Sequence, residues 1–121
     1  MTAVVDASAL LAFLQGESGA DIVEAQLADA ICGAANWSEV AQKVMAAGRD
    51  WDLARALLLS YDMRVEPVTA DDAERAARRW KAGDELSLAD RLCLALADRT
   101  GAPAYTADTA WGDEEGIEQI R

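Results

Sequence analysis

The chain has 121 residues, 52% hydrophobic and 27% charged, a composition that reads as a soluble globular protein with a sizeable core rather than a disordered segment. It holds 22 acidic and 11 basic residues, a formal net charge of −11, and no histidine. Without histidine there is no Ser-His-Asp or Cys-His nucleophile system and no His-bearing zinc site, so any hydrolysis must use carboxylates, hydroxyls or metals held by oxygen.

No apolar run reaches the ~20 residues needed to cross a bilayer. The N-terminus lacks a basic region followed by a signal-like apolar core, which points to a cytoplasmic chain. No repeat or Pro/Gly/Ser linker interrupts the sequence, so residues 1–121 are expected to form one domain. Cys32 and Cys93 lie in apolar surroundings and read as buried thiols; neither belongs to a CxxC zinc half-site and nothing supports a disulfide.

In chain order, "AVV" (3–5) is a short apolar strand running straight into Asp6, and residues 7–15 are a helix stopped by Gly16. Residues 18–29 form a second helix, with Ser18 as N-cap and Asp21 three positions on in a capping-box pattern. Ala30 to Ala35 is a short strand of small and apolar residues. Residues 36–48 place Trp37, Val40, Ala41, Val44 and Met45 at helical spacing, and 51–62 continue as helix. "RVEPV" (64–68) is a strand, 69–83 a helix capped by Thr69, and 87–101 a strongly apolar helix ending at Gly101. "APAYT" (102–106) and "GIEQI" (116–120) are the last strands. Alternating strands and helices imply a parallel sheet covered on both faces, with ligands at the carboxyl edge of the strands.

That edge collects acids. Asp6 ends the first strand, Glu39 and Asp90 lie in first turns of helices, Asp108 follows "APAYT", and Asp113 comes a few residues later. Each has a plain structural use: Asp6 caps a helix, Asn36/Glu39 and Ser87/Asp90 have capping-box spacing, and Asp108 caps a turn. A helix N-terminus favours an acid by only ~0.3–1 kcal/mol. Carboxylates converging there would repel one another unless their pKa values rise or cations such as Mg²⁺ or Mn²⁺ fill the gap.

Taken together, "VVDASALLA", "NWSEV", "LSLADRLCLALA" and "YTADTAW" resemble the PIN-domain family, and within it the VapC-like ribonuclease toxins of bacterial toxin–antitoxin pairs. The resemblance covers essentially the whole chain. It implies a three-layer α/β/α fold with a central parallel sheet of four to five short strands. It also implies a Mg²⁺- or Mn²⁺-dependent endoribonuclease, binding one or two ions, that cleaves a structured cellular RNA with a metal-activated water. By position, Asp6, Glu39, Asp90 and Asp108 match the family's acidic quartet of catalytic metal ligands. Ser8 and Thr106 match hydroxyls that border the site, and Asp113 falls near an additional acid of some members. Implied partners are a VapB-like antitoxin, the RNA and a second copy of the chain, with no membrane; the apolar helices from 7 to 28 and 51 to 62 would form the antitoxin groove.

The densest basic stretch, "ERAARRWK" (74–81), offers Arg75, Arg78 and Arg79 to phosphates, or simply a solvated face. Trp37, Trp51, Trp80 and Trp111 would stack bases or, for most of them, pack in the core or an interface. Two other functions compete with the toxin. One is a PIN-domain RNA-processing nuclease without an antitoxin. The other is a non-enzymatic phospho-receiver module, which needs a late lysine where the last here is Lys81. A haloacid-dehalogenase-like phosphatase ranks lower, because Ser8 stands where its second aspartate belongs.

Overall fold

The computed structural model describes residues 2–121, which form five strands and six α-helices. Strands β1 (Ala3–Val5), β2 (Ala30–Gly33), β3 (Arg64–Glu66), β4 (Ala104–Thr106) and β5 (Ile117–Gln119) make one sheet in the order β3-β2-β1-β4-β5. Every pairing is parallel. The chain works outward from β1 to β3 and then returns to β4 on the other side of β1, where Val4 pairs with Ala104 and Val5 with Tyr105. This reversal opens a crevice at the carboxyl ends of β1 and β4. Among the described residues, no helix is long and apolar enough to cross a membrane.

Strand alternation sends neighbouring side chains to opposite faces. Val5 and Cys32 join one core with Leu10, Val23, Leu27, Val40 and Leu58, from the helices α1 (Ala7–Gln15), α2 (Ala20–Gln26), α3 (Ala34–Ala46) and α4 (Trp51–Leu59) and a short 3-10 turn at Leu27–Asp29. Val4, Ile31, Ala104 and Ile117 join a second core with Cys93, Leu94 and Leu96 of α6 (Leu88–Thr100), which α5 (Ala70–Arg79) flanks. The result is the expected α/β/α layering. Both cysteines are buried and free.

Several boundaries differ from the sequence reading. Ser18 does not cap α2; Gly19 does, at φ 92° and without a side-chain bond. A Cβ on Gly19 would stand 2.5 Å from the Ile120 carbonyl oxygen, so the C-terminal segment demands glycine there. The helix expected from Asn36 begins at Ala34, which puts Asn36 inside α3 and dissolves its capping role. The helix expected to reach 62 ends at Leu59, and Asp62 turns the chain at φ 67°. Thr69 and Ser87 do cap their helices, each in a full capping box, with Asp72 and Asp90 respectively.

One ion pair locks α5 to α6. The Asp72 carboxylate is almost fully buried and receives Nε and a second guanidinium nitrogen of Arg99 at 2.9 and 3.2 Å. Burial opposes the charge of Asp72, but the bonds from Arg99 and Thr69 outweigh it and lower its pKa. Arg99→Leu leaves that carboxylate buried and half-satisfied. It is expected to cost about 2 kcal/mol in urea unfolding, below the usual figure for a buried pair because Arg99 itself is partly hydrated. A loss under about 0.5 kcal/mol would show that the pair does not hold the two helices.

Candidate active site

The crevice is built around Asp6. Val5 carries the chain to the sheet edge, and Asp6, in extended backbone, caps α1 by accepting the Ala9 N–H at 2.8 Å. Ser8 Oγ lies 2.8 and 2.9 Å from the two carboxylate oxygens, and Thr106 Oγ1 donates to Oδ2 at 2.6 Å. Each hydroxyl is itself oriented from behind: Ala107 N–H donates to Ser8 Oγ at 2.9 Å and Asp108 N–H to Thr106 Oγ1 at 3.0 Å. With their acceptor sides so engaged, both hydroxyls point their single proton at Asp6. The Ser8 side chain therefore serves Asp6 rather than its own backbone, and Thr106 is fully buried.

Asp6 is 3% exposed. Burial pushes its pKa up to about 6; the bonds from Thr106, Ala9 and Ser8 hold it down in part, and the charge of Asp90 adds to the rise. Glu39, half-buried on α3, is raised by burial and by Asp90, with Lys43 opposing. Three of the four expected acids thus share one electrostatic neighbourhood, and among the described residues no cationic side chain shifts Asp6. The nearby thiols feel the same field: burial first, then these carboxylates, push Cys32 and Cys93 far up and leave them inert.

Asp90 sits in the first turn of α6 with Oδ2 accepting the Ser87 N–H at 2.9 Å, so its capping use is realised. Asp108 heads a short 3-10 turn (Thr109–Trp111), its Oδ1 taking the Ala110 N–H at 2.9 Å. It joins Asp6 through Thr106 but is not among the charges that shift Asp6 or Glu39. Asp113 is exposed in the loop before β5, and among the described residues no hydrogen bond or ion pair ties it to the other acids. Of the expected basic contacts, Arg78 pairs with Glu74, and Arg79 with Asp98 and Glu114; Arg75 is exposed beside them. Trp111 is buried, Trp37 and Trp51 pack edge-to-face at 5.0 Å, and Trp80 alone of the four is largely exposed.

Gln119 escaped the sequence reading, and Asn36, read there as a helix cap, has a different use. Gln119 Nε2 on β5 donates to the carbonyls of Asp108 and Gly112 at 3.0 and 2.8 Å, holding the Asp108 turn. Asn36 bonds to backbone on two other segments rather than capping its own helix.

The donor chemistry suits a hard divalent cation: the acids offer only oxygen, and the charge of Asp90 raises the pKa of both Asp6 and Glu39. Among the described residues, no three carboxylates close around a single point. Asp90 uses Oδ2 to accept the Ser87 N–H and keeps its second carboxylate oxygen for the crevice.

The family model of the PIN domain matches residues 3–113, and the chain belongs to that family. Within it, the chain is 33% identical to a VapC ribonuclease of Mycobacterium bovis and to ribonuclease VapC42 of Mycobacterium tuberculosis, across 83% of this chain and 86% of each relative. Among solved structures, a toxin–antitoxin complex from Klebsiella pneumoniae superposes with a TM-score of 0.80 at 21% identity, covering 98% of both chains. VapC20 of Mycobacterium tuberculosis, described as a sarcin-ricin loop cleaving toxin, gives 0.67 at 21% identity over 94% of this chain and 92% of its own. VapBC2 from Rickettsia felis, bound to a promoter DNA fragment, gives 0.71 at 13% over 98% of both. These structural likenesses are of fold.

Proposed function

We propose that this chain is an endoribonuclease toxin of a VapBC-like pair, acting as a single domain over residues 1–121 in the cytoplasm on a structured RNA. The supporting observation is Asp6: a buried carboxylate at a rigid strand end, aimed by two hydroxyls and, among the described residues, shifted by no cationic side chain. Family membership and the VapC relatives supply the reaction class.

In this reading Asp6, Glu39, Asp90 and Asp108 hold one or two Mg²⁺ or Mn²⁺ ions. Held there, such an ion would supply a lowered water pKa and charge to offset that on the scissile phosphate. The chain's own residues do the placing. Asp6 is the central ligand; Ser8 and Thr106 fix its carboxylate plane and tie it to the Asp108 turn. Asp113, exposed nearby in sequence, is kept as an accessory acid. Arg75 is the best placed of the three arginines for phosphate, because Arg78 and Arg79 already have carboxylate partners.

A VapB-like antitoxin is the proposed protein partner, with a second copy of the chain as the other. An apolar groove of about 230 Å³ between α1, α3 and α4, bordered by Leu11, Leu14, Val44, Leu53 and Leu57, is the proposed seat. It uses α3 where the sequence reading used α2. An RNA-processing nuclease lacking an antitoxin would leave Leu53 and Leu57, both exposed, without a use.

The purified chain, incubated with total cellular RNA and Mg²⁺ or Mn²⁺, is expected to yield discrete fragments that vanish with chelator. They should also vanish in Asp90→Asn, with at least about a hundredfold loss of rate. Fragments that persist unchanged in Asp90→Asn would remove Asp90 from the site.

A further inference from the structure

The three acids that share a field come from three segments far apart in sequence, and a side chain on one of these segments bonds to the backbone of the other two. Asn36 is 1% exposed inside α3. Its Oδ1 accepts the backbone N–H of Ala7 at 3.2 Å, and its Nδ2 donates to the backbone carbonyl of Ala89 at 3.1 Å. Ala7 directly follows Asp6, Ala89 directly precedes Asp90, and Asn36 itself lies one helical turn before Glu39.

The amide orientation is dictated by its partners, because Ala7 offers only a donor and Ala89 only an acceptor. Aspartate could serve Ala7 but not Ala89, and a hydrophobic residue could serve neither. The Ala7 N–H also belongs to the first turn of α1, where no backbone acceptor is available, so Asn36 satisfies a group that would otherwise be buried unpaired. Among the described residues, the network of Ser8, Thr106 and Asp108 has no hydrogen bond to Asp90 or Glu39, whereas Asn36, on the helix of Glu39, bonds to the backbone next to Asp90.

We propose that Asn36 is a positioning residue that sets the mutual placement of Asp6, Glu39 and Asp90 by tethering the backbone on either side of the crevice. This rests on the metal-dependent nuclease reading above. It assigns the spacing of the acids to an amide that contacts neither cation nor RNA, and it predicts an effect on cation affinity and turnover rather than on RNA binding.

The test uses the full chain and Mn²⁺ alone, by titration calorimetry, alongside RNA cleavage kinetics. Asn36→Ala and Asn36→Asp are compared with Leu58→Ala, a core substitution in α4 that weakens the fold away from the crevice. Both Asn36 variants are expected to lose about tenfold or more in Mn²⁺ affinity, the scale for residues that orient ligands from behind. They should lose kcat comparably while the KM for RNA stays within about twofold. Leu58→Ala should keep Mn²⁺ affinity and kcat at temperatures where it is folded. Equal losses in Leu58→Ala, or unchanged Mn²⁺ affinity in folded Asn36→Ala, would overturn the positioning role. Wild-type protein that binds no Mn²⁺ would instead overturn the metal-dependent reading beneath it.

Discussion

Asp6→Asn is expected to abolish RNA cleavage, by at least about a hundredfold in kcat/KM, with the fold intact. Asparagine has nearly the same shape, and its Oδ1 can still accept the Ala9 N–H that Asp6 now takes at 2.8 Å, so the cap of α1 survives. The other side of the group changes character. Oδ2 now receives the Thr106 hydroxyl at 2.6 Å; an NH₂ there must donate instead, and the Thr106 proton turns away. What is lost is the negative charge that would grip a cation at the sheet edge. Circular dichroism should superpose on that of the wild type, while gel-resolved cleavage with Mn²⁺ should fall to background. Wild-type rates in Asp6→Asn would remove the carboxylate from the reaction and leave it as a helix cap.

The fold was legible in the sequence because its signals are local. "AVV" and "APAYT" are short apolar runs that end in polar residues, and Thr69 and Ser87 announce their helices with acids three positions on. Asp6, Asp90 and Asp108 were legible for the same reason: each stands at a strand end or a helix start, which local pattern identifies. Glu39 was expected in a first turn, but α3 begins at Ala34 and sets it in the second turn. What the pattern could not carry is adjacency. Asn36 looks like an N-cap in "AANWSEV", and only the contact of α3 with residues 29 and 53 positions away in sequence shows what its amide serves. Ser18 failed as a cap for a related reason, since the close approach of Ile120 decides that Gly19 must make the turn. Gln119 sits in a strand only three residues long, and its grip on the Asp108 turn depends on β5 lying beside β4. Likewise "ERAARRWK" reads as a basic patch until Asp98 and Glu114, distant in sequence, are seen to occupy Arg79.

The second large effect is on stability, and its sign follows from the direction of the shifts. A carboxyl raised from 3.8 to about 6 binds its proton more tightly in the folded chain than in the unfolded one. Below about pH 4 both states hold the proton and Asp6 has no net effect. As pH rises through the window from about 4 to about 6, the unfolded state has already released its proton while the folded state must still do so. Folding stability therefore declines, reaching a deficit of about 3 kcal/mol at neutral pH. The raised pKa of Glu39 adds in the same direction from its ordinary value upward. Asp72 acts oppositely and elsewhere. Its pKa is lowered, so its contribution is complete above the unfolded value and is lost only as pH falls further into the acid range. In chelator, thermal melting should therefore show Tm falling between about pH 4 and 6, and Asp6→Asn should flatten most of that fall. Adding Mn²⁺ near pH 7 should restore the lost Tm in the wild type, because a bound cation reverses the penalty on the ionised form, and should restore little in Asp6→Asn. An identical pH slope in both proteins would show that Asp6 does not carry the uncompensated charge from which the proposed cation site is argued.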